Sequence, residues 1–89
     1  MQFEWDEDKA AINVDKHGIS FELAALVFLD GDRLHESDDR RDYGEDRLVT
    51  MGHIENRLHV VVYTETEDAI RIISARKANK REQERYANR

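Results

Sequence analysis

Cysteine and proline are both absent from this chain, and no apolar run approaches the length of a membrane span. Without cysteine there is no disulfide and no thiolate metal site, so packing must hold the fold, as suits a reducing compartment. Without proline, the turns fall to Asn, Asp and the four glycines. A bilayer span takes about 20 apolar residues, so no membrane association is expected. The first residues, Met-Gln-Phe-Glu-Trp-Asp-Glu-Asp, are acidic where a signal peptide has a basic start and an apolar stretch. The expected location is the cytoplasm. A phosphate-cradling Gly-rich loop, a serine nucleophile elbow and a His-Glu-x-x-His pair are absent as well.

What is present fits one domain spanning residues 1–89. A chain this short buries only about 60–65% of its unfolded surface, so its core is thin and a partner is expected to cover part of it. Charged residues make up 38% and hydrophobic ones 39%, a balance that excludes disorder because apolar clusters recur throughout. The net charge of −6 conceals an asymmetry: residues 1–70 hold 7 Lys/Arg against 18 Asp/Glu, a net of −11, and residues 71–89 hold 7 against 2, a net of +5. Local charge sets the field at a site. The C-terminal segment therefore suits a phosphate, although a solvated basic helix against an acidic body has the same composition.

Residues 3–5 predict a short strand. Asp6 is a good N-cap and Gly18 a natural C′ residue, which brackets a helix over about 7–16 with Ala10, Val14 and His17 at helical spacing. Ser20 caps a second helix over about 21–29, where Phe21, Ala24, Ala25 and Phe28 follow the spacing of a buried stripe, and Gly31 ends it. From there the period changes. A short strand at 33–36 and a polar loop at 37–45 with Tyr43 and Gly44 precede three stronger strands at 47–54, 57–64 and 69–75. Alternate residues of the middle one are apolar on both sides, as in a central strand. From Arg76 onward the chain favours helix, with Ala78, Glu82 and Tyr86 on one side. The predicted class is α+β: a single antiparallel sheet with two N-terminal helices and a C-terminal helix, packed mainly on one face. Trp5, Phe21, Phe28, Val60, Val62, Ile70 and Ile72 are expected to share the core.

Chemistry is confined to histidines and basic residues. His53 and His59 sit on adjacent strands and could face each other, but two imidazoles rarely hold a metal, and no metal or other cofactor is expected. His17 ends the first helix beside Lys16, where the dipole favours imidazolium; it suits a general acid or base, or merely a helix cap. Arg71 and Arg76 flank Ile72-Ile73-Ser74-Ala75, and Lys77, Lys80, Arg81 and Arg85 follow. At about 100° per residue Lys77, Arg81 and Arg85 share a helical stripe. Attack by the RNA 2′-hydroxyl needs a base, a charge-stabilising group and an acid, all available from Arg, Lys and His without a metal. A DNA-binding stripe or a partner-docking face would read the same.

These segments resemble the BrnT family. The stretches that carry the likeness are Phe3-Glu4-Trp5-Asp6, Lys16-His17-Gly18-Ile19-Ser20-Phe21-Glu22, Arg47-Leu48-Val49-Thr50-Met51-Gly52, Val60-Val61-Val62-Tyr63-Thr64-Glu65 and Arg71-Ile72-Ile73-Ser74-Ala75-Arg76-Lys77-Ala78, with Arg81-Glu82 and Tyr86 beyond. The resemblance implies a RelE-like toxin fold and an endoribonuclease that stops translation. It also implies a BrnA-type antitoxin that neutralises the toxin and supplies operator-DNA binding, with a homodimer of the toxin inside the hetero-oligomer. By the same likeness Lys16, His17, Arg71, Arg76, Lys77 and Arg81 are the candidates for RNA binding and cleavage. His17, Arg76, Lys77 and Arg81 are expected to act in cleavage and Lys16 and Arg71 to bind substrate, joined by Lys80 and Arg85 of the basic run. One position departs: the family pattern has an arginine where Thr66 stands. If that arginine assists at the phosphate, activity is attenuated, and the chain works mainly as an antitoxin-binding protein in autorepression.

Overall fold

The computed structural model of the protein describes residues 2–38 and 47–89. The predicted loop around Tyr43 and Gly44 lies largely outside them. Among the described residues five strands form one sheet in the order β1-β5-β4-β3-β2: β1 Gln2–Glu4, β2 Leu34–Asp38, β3 Arg47–Ile54, β4 Arg57–Glu65 and β5 Ala69–Lys77. Helix α1 covers Glu7–His17, α2 covers Phe21–Ala24 and runs into a 3-10 turn at Ala25–Leu29, and α3 covers Lys80–Ala87.

Local chemistry sets most boundaries. The Asp6 carboxylate accepts from the N–H groups of Asp8 and Lys9, and Gly18 closes α1 at φ 72°, left-handed backbone that suits glycine. The Ser20 hydroxyl accepts from the Leu23 N–H and starts α2. Glu55 and Asn56, both at positive φ, make the two-residue turn between β3 and β4. Thr66 closes the next hairpin by hydrogen bonds with Ala69 through both backbone and hydroxyl.

Two expectations about architecture are corrected. The sheet is mixed, because β1 runs parallel to β5, pairing Phe3 with Ile70, while every other pairing is antiparallel. Chain order cannot reveal this: β5 has an open edge, and β1 fills it so that Phe3 lands on Phe28, 5.4 Å away between ring centroids. Nor do all helices share a face. α1, α2 and the 3-10 turn cover one side, around Phe21, Val27, Val61, Tyr63, Ile70 and Ile72. α3 packs on the other, where Tyr86 and Ala78 join Met51, Leu58 and Val60.

The expected core splits accordingly. Phe21, Ile70 and Ile72 are buried on the first side with Trp5 and Phe28 against them, whereas Val60 belongs to the second cluster and Val62 is only half-buried. The residue between them, Val61, is 0% exposed. α3 starts four residues later than the helix-favouring segment, since Arg76 and Lys77 stay in β5 and Asn79 caps the helix in a capping box with Glu82. Lys77, Arg81 and Arg85 therefore do not form one helical stripe.

Candidate functional site

The side of the sheet that α3 only partly covers holds a groove of about 340 Å³. Its floor follows from the register. Glu36 pairs with Val49, Val49 with Val62 and Val62 with Ser74, so these four form one row across β2, β3, β4 and β5. Leu34, Met51, Val60 and Arg76 form the next row by the same pairings. The two valines leave a half-buried apolar strip between polar ends, and Glu82 and Arg85 lean in from α3.

A chain of alternating charge spans the groove. Arg76 makes a bidentate bond to Glu82, at 2.8 and 2.7 Å. Glu82 also accepts from the Asn79 N–H at 2.9 Å, which ties it to the helix start. One turn on, Arg85 pairs with Glu36 on β2. The Arg76 guanidinium holds the Glu82 carboxyl below the ordinary carboxylate range, against the opposing effect of burial, and Arg85 does the same for Glu36. Glu36 in turn raises Arg85 above its usual value. All four side chains are thus ionised at neutral pH.

Arg71 stands on this face too. It pairs with Thr64, four residues from Val60, the partner of Arg76. Residues five apart on a regular strand point to opposite faces. Here Val62 opposes Ser74 while Tyr63 opposes Ile72, so Ile73 is an extra residue and the alternation is reset. The bulge brings both arginines onto the open face.

The other candidates lie elsewhere. Lys16 and His17 end α1, which packs on the helix-covered face through Asn13 and Ala75. Lys77 is exposed; as the neighbour of Arg76 in β5 it points to that same side, toward His59. Lys80 and Arg81 are exposed in the first turn of α3, with Arg81 one turn before Arg85. The structure thus lines the groove with Arg76 and Arg85, puts Arg71 farther along the same face, and does not bring His17 to them.

His53 and His59 are not opposite each other: His53 pairs with Leu58 and Gly52 with His59. His59 is buried, its Nδ1–H donates to the Arg57 carbonyl at 2.8 Å, and burial lowers its pKa, so it stays neutral. His53 instead packs edge-on against Tyr86. Among the described residues no group of three His, Asp or Glu side chains is arranged to hold a metal ion.

Reasoning from sequence missed Glu36, Glu82 and Asp30. Asn79-x-x-Glu82 is a recognisable capping box and could have revealed Glu82. Glu36 carries no such signal. Asp30 sits at the edge of β3 that β2 leaves unpaired, where it accepts from the His53 N–H at 2.7 Å and from the Tyr86 hydroxyl at 3.2 Å.

The family model described as the ribonuclease toxin, BrnT, of type II toxin–antitoxin systems matches residues 5–82. The chain belongs to the BrnT family. A search of curated proteins finds no match. Membership of a type II toxin–antitoxin family makes ribonuclease activity the family's chemistry and implies an antitoxin partner. No helix among the described residues of this BrnT-family chain is long and apolar enough to cross a membrane. The bulge at Ile73 and the box from Asn79 to Glu82 fall inside the matched region together with Arg71 and Arg76, and Arg85 lies just beyond its end.

Proposed function

We propose that this BrnT-family chain is an endoribonuclease that cleaves RNA without a metal, blocks translation in the cytoplasm and is neutralised by a BrnA-type antitoxin. The observation that carries the reading is a groove lined by Ser74, Arg76 and Arg85, with Arg71 farther along β5 on the same face of the sheet. Guanidinium groups suit this chemistry, because they stay charged and match two phosphate oxygens at once. Charge stabilisation of this kind is worth about 10²–10³-fold per donor in comparable sites. The apolar strip of Val49 and Val62 offers a surface against which a base can rest while its phosphate meets an arginine.

The proposed RNA site centres on Arg71, Arg76 and Arg85, with Arg81 one helical turn away. A strand that continues past the end of β5 would meet Lys77 and Lys80. Lys16 and His17 lie on the helical side, and their part in binding or proton transfer is tested by the same alanine series. A sheet with α1 and α2 on one face and α3 beside the arginines on the other is also compatible with a RelE-like toxin fold. The acidic body, net −11 over residues 1–70, suits a basic antitoxin. That partner would supply operator-DNA binding to a hetero-oligomer containing two toxin copies.

One second reading has support: a catalytically weak chain that serves autorepression by holding the antitoxin. Arg76 and Arg85 are both held by carboxylates, and Thr66 stands where the family pattern has an arginine. The deciding experiment incubates the free protein with RNA in EDTA. Cleavage that Arg85→Ala and Arg71→Ala each abolish supports the ribonuclease reading. Intact RNA together with tight antitoxin binding supports the second.

A further inference from the structure

The two arginines at the groove are held in different ways, and this suggests different jobs. Arg76 is 38% exposed and Glu82 21%, and Glu82 serves two masters, the guanidinium and the Asn79 N–H that begins α3. Drawing Arg76 toward a ligand would leave the part-buried Glu82 carboxylate without its guanidinium. Arg85 and Glu36 are 55% and 50% exposed, and the only group that holds Glu36 by a hydrogen bond among the described residues is Arg85 itself. An exposed pair of this kind contributes little to stability, so its partners can be exchanged cheaply.

We propose that Glu36 is a built-in competitor for the RNA phosphate: in the free protein its carboxylate occupies Arg85, and a phosphodiester binds by taking its place. This rests on the RNA-binding reading above and adds to it a division of labour. A carboxylate and a phosphodiester present the same two oxygens to a guanidinium. Glu36 lies in one row with Val49, Val62 and Ser74, at the β2 end of the groove. When it swings away, Arg85 faces the apolar strip released from that bond. Arg76 meanwhile stays with Glu82 and keeps α3 across the sheet. Glu36 thus sets a threshold. A polyanion with many phosphates crosses it, and a single carboxylate or a free monophosphate in dilute solution competes poorly.

The test measures binding, so that cleavage is not needed to read it. A fluorescent, fully 2′-O-methylated RNA oligonucleotide, which lacks the attacking hydroxyl, is titrated with wild type, Glu36→Gln, Arg85→Ala and the double variant, all checked by thermal melting. Glu84→Gln, an exposed charge on the same helix, controls for the general effect of removing one negative charge near a polyanion. The expected result is a gain in affinity of about 3–5-fold for Glu36→Gln, the scale that an exposed pair can hold back. That gain disappears when Arg85 is alanine and exceeds the gain from Glu84→Gln. An equal gain in both Arg85 backgrounds, or one matched by Glu84→Gln, overturns the exchange while leaving RNA binding intact. If none of these proteins binds the oligonucleotide, the exchange and the RNA reading fall together.

Discussion

The side-chain amide of Asn13 is bonded to both backbone groups of Ala75: Nδ2 donates to the carbonyl at 2.9 Å and Oδ1 accepts from the N–H at 3.1 Å. The same Nδ2 donates to the Ile19 carbonyl at 2.8 Å. β1 covers β5 only as far as Arg71, so the edge beyond would otherwise be buried without partners beneath α1. One amide thus takes the place of a missing strand. Asn13→Ala is expected to cost about 2–4 kcal/mol, because buried groups left unsatisfied cost about 1–3 kcal/mol each. Urea denaturation checks it, and an unchanged midpoint would mean that water replaces the amide fully.

A second pair of substitutions tests the two-sided sheet. Val61 is fully buried beneath the helices and Val62 lies half-buried in the groove. Val61→Ala should cost about 2–3 kcal/mol through lost burial and a cavity, and Val62→Ala less than about 1 kcal/mol. Equal losses in chemical denaturation would contradict the assignment of faces.

Acid should loosen the anchorage of α3. The Asp30 carboxyl lies below its ordinary range, chiefly because it accepts from the His53 N–H, and Arg76 lowers Glu82 likewise. For carboxyls depressed in the folded state, the stabilisation is complete above their unfolded values and is lost as pH falls through the lower, folded ones. Stability should therefore decline below about pH 4. Asp30→Asn should flatten part of that slope while lowering stability at neutral pH. A melting temperature with the same acid slope in Asp30→Asn and wild type would exclude Asp30 from the effect.

Thr66 continues the alternation of Val62 and Thr64, the residue that pairs with Arg71. An arginine there would begin on the open face. Thr66→Arg is expected to raise RNA cleavage, on the order of 10²-fold if the added guanidinium reaches the phosphate, at the cost of the turn's hydroxyl bonds to Ala69. Cleavage assays at equal protein concentration decide it; unchanged activity would remove position 66 from the site.

Gly52 offers a test of packing between β3 and the segment before β2. A Cβ there would stand 2.9 Å from Val27 Cγ2, 3.0 Å from Arg33 Cβ and 3.2 Å from Asp30 Oδ2. Gly52→Ala should destabilise by about 1–3 kcal/mol, since crowding in a packed site forces neighbours apart. A variant as stable as wild type in thermal melts would show that the loop before β2 yields freely.

Local chemistry made much of this protein legible in the sequence. Asp6, Gly18 and Ser20 fix helix ends through their own hydrogen bonds and backbone preferences, and Glu55-Asn56 and Thr66 make turns within a few residues. The apolar residues on both sides of β4 announced a central strand, because such a strand must bury both faces. The basic character of the last 19 residues was equally plain. What tertiary structure alone decided is which of those charges meet. A strand read by strict alternation sends Arg71 and Arg76 to opposite faces; the extra residue at Ile73 unites them, and a bulge depends on how the neighbouring strand pairs. Likewise Asn13 has no apolar signal and is buried only because β1 leaves Ala75 uncovered, and Glu36 joins Arg85 across 49 residues only once α3 crosses the sheet. Contacts between distant segments depend on register and on which edge each element covers, and neither is written in the periodicity of one segment.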